Sequence, residues 1–277
     1  MTQLPLTPGL RELFLALTPG GCKGSGTTFS VEIRLDQSYD PAMRARQFDL
    51  FRPDGHIRAA LLMFHGGGWI SGDRRDYRDE AHWYAQQGVA ALCIGYRLAP
   101  LHPFPAAMDD VLTAVRFVRE SASALNLDGC PLVGFGNSAG GHLAAIVGHP
   151  PAGTLAQVDA TVAICPITDL QHPGDTHFPI ALSFLEQFMA GSFAERPDAY
   201  AQASPMAHVR EGGAPTLLIH GTHDDIVPVD QSRRFADALS SAGIPVELHL
   251  LEGEGHSFSW NAWSQIRELT LDFVDTL

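Results

Sequence analysis

The sequence predicts an α/β fold, a mostly parallel central sheet with helices on both faces. Three observations carry this. Strand-like and helix-like segments alternate along most of the 277 residues, the order that builds β-α-β units. Several strand segments are short unbroken apolar runs, such as AALLMF at 59–64, which suit strands covered on both sides. At 131–148, PLVGFGNSAGGHLAAIVG, an apolar strand passes directly into small, helix-compatible residues through Gly136-Asn137-Ser138-Ala139-Gly140. Such a strand-to-helix reversal forces the corner residue into strained angles, and flanking glycines let the two elements close around it.

Taken in order, residues 1–27 are punctuated by Pro and Gly, with a short helical candidate at 10–17. TFSVEIRL at 28–35 alternates apolar and polar and reads as a half-buried strand, with 46–51 as its partner. The central run at 59–64 ends in His65-Gly66-Gly67-Gly68-Trp69. Residues 77–87 have helical character and stop at Gly88; 89–94 form another buried strand. After a proline-rich turn, 106–120 is an amphipathic helix with Val111, Ala114, Val115 and Val118 on one face. Strands follow at 160–165, 216–220 and 246–251, with helices at 231–242 and 262–274. The interval 171–213 breaks the rhythm. It holds Ile180, Leu182, Phe184, Leu185, Phe188 and Met189, too many apolar residues for one helix face, so it reads as an extra core helix, a cap insertion over a site, or both. The whole, 1–277, is expected to be a single domain.

A composition of 45% hydrophobic and 18% charged residues supports a packed core. The formal net charge of −13 argues against nucleic acid and anionic membrane surfaces as partners. Cys22, Cys93, Cys130 and Cys165 form no C-x-x-C pair, and Cys93 and Cys165 fall within apolar strand-like runs. Neither a signal peptide nor a membrane-spanning run is recognised, so a cytoplasmic location without membrane insertion is expected. A homo-oligomer is compatible with the sequence.

A serine needs a base to take its proton and an acid to orient that base. After Ser138, the strand at 216–220 leads into Gly221-Thr222-His223-Asp224-Asp225, and the next strand into Glu252-Gly253-Glu254-Gly255-His256. Each candidate thus follows the C-terminal end of a strand, on the rim where parallel sheets bind ligands. The order Ser, Asp, His supports His256 as base, while Asp224 and Asp225 both remain candidates for the acid. Bare amides of the 65–68 loop, with the amide of Ala139, would receive an oxyanion; His65 itself reads as a brace for the loop. Trp69, Phe184, Phe188 and Phe258 are candidates for an apolar acyl or alcohol pocket, each equally compatible with core packing. Neither His220, His223, Asp224 and Asp225 nor His172, Asp175 and His177 matches a zinc spacing; no metal and no cofactor are expected.

Five motifs in order, HGGGW at 65–69, YRLAPLHPFPAAMDD at 96–110, GNSAGG ending at Gly141, HGTHDDIVP at 220–228 and GEGHSF at 253–258, resemble the hormone-sensitive-lipase-like carboxylesterase branch of the α/β-hydrolase superfamily, related to small esterases and arylformamidases. The resemblance implies an α/β-hydrolase fold with a small helical cap, Ser138 as nucleophile, Asp224 as acid, His256 as base, and Gly67, Gly68 and Ala139 as oxyanion donors. It implies a serine esterase acting on a small-molecule ester, with short- to medium-chain carboxylic esters favoured. An arylformamidase, a carbohydrate-ester deacetylase and, outside enzymes, a ligand-binding receptor on a hydrolase scaffold are the alternatives. Asn137 and Leu101 stand where that branch usually has Asp and Glu. A neutral imidazole as base predicts activity falling at acid pH, with an apparent pKa near ~6 to 7.

Overall fold

The computed structural model describes residues 28–172 and 179–277. The helical candidate at 10–17, Cys22, and Asp175 and His177 of the second polar knot lie outside them. Among the described residues, eight strands form one sheet in the order β1-β2-β4-β3-β5-β6-β7-β8: β1 (Val31–Ser38), β2 (Gln47–Pro53), β3 (Ala60–Phe64), β4 (Ala90–Ile94), β5 (Leu132–Asn137), β6 (Ala160–Ile164), β7 (Thr216–Gly221) and β8 (Val246–Leu251). β1 and β2 are antiparallel; the pairs from β4 through β8 are parallel. This is the open, mostly parallel sheet of the α/β-hydrolase fold.

The helices among the described residues are α1 (Arg78–Gln86), α2 (Ala106–Glu120), α3 (Ala122–Leu125), α4 (Ala139–Gly148), α5 (Pro179–Met189), α6 (Pro197–Ala203), α7 (Asp230–Ser241) and α8 (Trp260–Val274). Strand alternation sorts them onto two faces. Leu62 and Phe64 of β3 point towards α2 and α4, whereas Leu61 and Met63 point towards α1 and α8. All five β3 residues are buried, which is why the run at 59–64 shows no polar alternation. The interval at 171–213 contains α5, α6 and a 3-10 turn at Pro205–His208 rather than one long helix. In α5, Leu185, Phe188 and Met189 are buried, while Phe184 is half-buried.

Register places the chemistry. Phe64 pairs with Gly136, Asn137 with Ile164, Ile164 with Ile219, and Gly221 with Leu251. Five strands therefore end at one rim, and the loops that follow them carry Gly66–Gly68, Ser138, Cys165, Asp224 and His256. Buried Asp49 of β2 is paired with Arg74 and Arg78, and buried Asp110 of α2 with Arg46 and Arg97. Such carboxylates are tolerated in a core because each has cationic donors.

Candidate active site

Ser138 sits between β5 and α4 with φ 55° and ψ −123°, a left-handed φ that a non-glycine residue rarely adopts. Two glycines make this corner feasible. A Cβ at Gly140 would lie 1.9 Å from the Phe64 carbonyl oxygen, and one at Gly136 would lie 2.4 Å from that of Gly140. Only hydrogen at both positions lets helix and strand approach this closely.

From the corner a continuous chain runs across the rim. His256 Nε2 is 3.0 Å from Ser138 Oγ, and its Nδ1 is 2.8 Å from Asp224 Oδ2. Asp224 is nearly inaccessible, 7% exposed, whereas Asp225 is exposed. The ambiguity between the adjacent acids is thus resolved geometrically: Asp224 faces the imidazole and Asp225 faces solvent. The amides of Ile226 and Val227 donate to Asp224 Oδ1 at 2.9 and 2.8 Å. His220, fully buried at the end of β7, brings Nε2 to 3.2 Å from Oδ2 and 3.0 Å from the Val227 carbonyl. His220 therefore braces the acid loop, while His223 is exposed. Burial by itself would raise the Asp224 pKa; the bonds from His220, His256 and the loop amides hold it well below the usual carboxylate range.

The loop after β3 supplies donors. Gly67 and Gly68 have φ of 109° and 60°, and a Cβ at Gly67 would lie 2.3 Å from the Ser71 carbonyl oxygen. Their amides make no main-chain hydrogen bond among the described residues. Ala139 opens α4, so its amide lacks an acceptor within the helix, and the helix dipole adds positive potential there. His65 is buried and lies against Tyr96, ring centroids 4.2 Å apart; the Tyr96 hydroxyl donates to the His65 carbonyl at 2.7 Å. The expected bracing role fits that position.

A pocket of about 610 Å³ opens over these groups, lined by Gly67, Gly68, Asn137, Ser138, His256 and, as walls, Phe184, Phe258 and Trp263. Two of the four aromatic candidates are therefore in place, Phe184 and Phe258. Trp69 and Phe188 are not. Trp69 has φ 61°, which turns its indole inward to stack on fully buried Phe188, centroids 4.5 Å apart, while Nε1 donates to His142 Nδ1 at 3.1 Å. They anchor the glycine loop to α5 instead of lining the pocket. Trp263 was not anticipated, because a tryptophan in a C-terminal helix gives no sign of pointing back at a distant loop. A larger groove of about 940 Å³ lies beyond His65 and contains neither Ser138 nor His256. Most of its arginines are already tied to aspartates.

Cys165 was also missed as a site residue. It follows β6 with φ 38°, fully buried, and its sulfur, a His256 ring nitrogen and an Asp224 oxygen all lie within 4.8 Å of one another. Burial alone would lower the His256 pKa, but Asp224 and Cys165 together push it up to about 10. The three atoms are of metal-binding types, and Asp224 and His256 already bond each other within the proton chain.

The relatives bear on what this constellation is. The BD-FAE family model matches residues 48–239. Esterase LipC of Mycobacterium tuberculosis is 32% identical over 212 residues, 72% of this chain and 52% of that protein. The ethyl acetate hydrolase of Pseudomonas putida is 36% identical over 214 residues, 72% of this chain and 66% of that protein. The chain thus spans between half and two thirds of the length of these curated relatives. Esterase 2 of Thermogutta terrifontis, phosphonylated by sarin, superposes with a TM-score of 0.75 at 27% identity, covering 91% of this chain and 95% of that one. With its open parallel sheet, serine corner and glycine loop, the chain belongs to the BD-FAE family of α/β-hydrolases.

Proposed function

We propose that the protein is a serine carboxylesterase hydrolysing short- to medium-chain carboxylic esters through an acyl-serine. The observation that carries this reading is the unbroken Ser138–His256–Asp224 chain, at 3.0 and 2.8 Å, beside amides that have no main-chain partner. Ser138 Oγ attacks the ester carbonyl as its proton passes to His256 Nε2. Asp224 accepts from Nδ1–H, holds the tautomer and stabilises the imidazolium. The amides of Gly67, Gly68 and Ala139 receive the oxyanion, in a pocket shielded by Phe184 and Phe258. His256 then protonates the leaving alcohol, and a water activated by the same imidazole releases the acid. A cavity of about 610 Å³ suits a small ester. Names of similar proteins, an esterase and an ethyl acetate hydrolase, support the same substrate class.

Residues 171–213 act in this reading as a small cap whose α5 both packs on the core and closes the pocket. Among the described residues no helix is long and apolar enough to cross a membrane. The three described cysteines are unpaired, which supports a reducing compartment such as the cytoplasm.

The test is a panel of 4-nitrophenyl acyl esters, N-formylkynurenine and acetylated sugars, run with wild type and Ser138→Ala. Hydrolysis of the acyl esters and loss of organophosphonate labelling in Ser138→Ala are expected. Labelling that persists in the variant removes the nucleophile assignment. Preference for the formamide or the sugar esters replaces the substrate class, and tight binding without turnover replaces the enzyme reading.

A further inference from the structure

The residue immediately before the nucleophile takes no part in the proton chain, yet it lines the pocket. Asn137 ends β5 and stands with Gly67, Gly68, Ser138, Phe258 and Trp263 around the cavity. Its amide is gripped from behind by Tyr77, a buried residue of the 3-10 turn Arg74–Tyr77, whose hydroxyl donates to Oδ1 at 2.7 Å. A phenol has one hydrogen to give, and among the described residues this oxygen is where it goes. The orientation of the amide follows: Oδ1 is committed to Tyr77, and Nδ2 takes the other direction. Asn137 Nδ2 has no hydrogen-bond partner among the described residues, and it is not among the buried atoms that lack one. The amide also lies alongside the donor loop, 3.3 Å from where a Cβ on Gly66 would stand.

We propose that Asn137 is a specificity-determining residue, its Nδ2 donating to a second, uncharged oxygen that the substrate carries close to the scissile carbonyl, such as an ether, keto or hydroxyl oxygen. The inference rests on the esterase reading of the same pocket. A donor open to water in the empty pocket loses that water when substrate enters. An all-alkyl substrate leaves it unpaired, whereas a suitably placed oxygen pairs it. Tyr77 pre-orients the amide, so no rotamer has to be frozen on binding. A carboxylate at this position would present a charged acceptor to the substrate's acceptor and reverse the preference.

Two isosteric ester pairs isolate the effect: 4-nitrophenyl methoxyacetate against butyrate on the acyl side, and 2-methoxyethyl butyrate against butyl butyrate on the alcohol side. Each pair exchanges one methylene for oxygen, and the oxygen-to-methylene ratio of kcat/KM is the readout. Asn137→Asp keeps an acceptor for Tyr77 and should lower that ratio about tenfold in one series, the worth of one hydrogen bond. Tyr77→Phe, which frees the amide to rotate, should lower it less and in the same series. Ratios within twofold of wild type in both series overturn the proposal, as do equal losses on all four esters. If Asn137→Asp does not fold, Asn137→Ser, whose hydroxyl is too short to reach, decides by the same thresholds. Wild type hydrolysing none of the four esters would instead overturn the esterase reading itself.

Discussion

Asp224→Asn is the sharpest test of the proton chain, because the structure dictates how the substituted side chain must fail. Asp224 takes two amides on Oδ1, and on Oδ2 it takes His256 Nδ1 while facing His220 Nε2. An asparagine satisfies the Ile226 and Val227 amides with its carbonyl, so the loop should hold. Its NH2 then faces two ring N–H groups where a carboxylate stood. His256 relieves the clash by moving its proton from Nδ1 to Nε2, which removes the lone pair that accepts from Ser138. The expected loss in kcat is about 10⁴-fold, roughly 5 kcal/mol of transition-state stabilisation. Asp225→Asn, at the neighbouring exposed position, should stay within twofold of wild type. Both are read as kcat on 4-nitrophenyl butyrate, with a thermal melt to verify folding. A folded Asp224→Asn within tenfold of wild type, or an equal loss in Asp225→Asn, would refute the assignment.

Three further outcomes are expected. His256 must be neutral to act as base, and its pKa is raised towards about 10. The acid limb of kcat/KM should therefore lie above ~7, beyond the ~6 to 7 expected from the sequence, with activity climbing into the alkaline range; a limb at or below pH ~7 contradicts this. The stability from the same pair runs the other way, being fully present below ~6.5 and lost as pH rises through the folded value, which a melt series at pH 6 and 10 measures. Cys165→Ala removes a group that favours the charged ring, so the acid limb should move to lower pH; an unmoved limb means the sulfur only packs. Phe188→Ala deletes a fully buried ring stacked on Trp69, with an expected cost of about 3–5 kcal/mol in chemical denaturation, and activity should fall further than folding alone explains because the glycine loop loses its anchor.

Local sequence determined much of this protein. The apolar runs at 59–64 and 89–94 read as strands covered on both sides, as β3 and β4 are, and the amphipathic helix at 106–120 matches α2 residue for residue. Ser138 was legible because strand, glycines and small helix residues adjoin in the chain, and His256 because it follows the last strand. Steric exclusion and hydrophobic periodicity act between near neighbours, so a linear string records them. The facing of Asp224 rather than Asp225 onto the imidazole, left open by the residues themselves and implied only by the family resemblance, is a matter of tertiary structure, as are the thiol of Cys165 against the imidazole, the inward turn of Trp69 onto Phe188 and the grip of Tyr77 on Asn137. Each depends on side-chain direction and on strands that are distant in sequence ending at one rim. Hydrogen-bond geometry and desolvation act across those gaps, between residues whose spacing in the chain carries no trace of their contact.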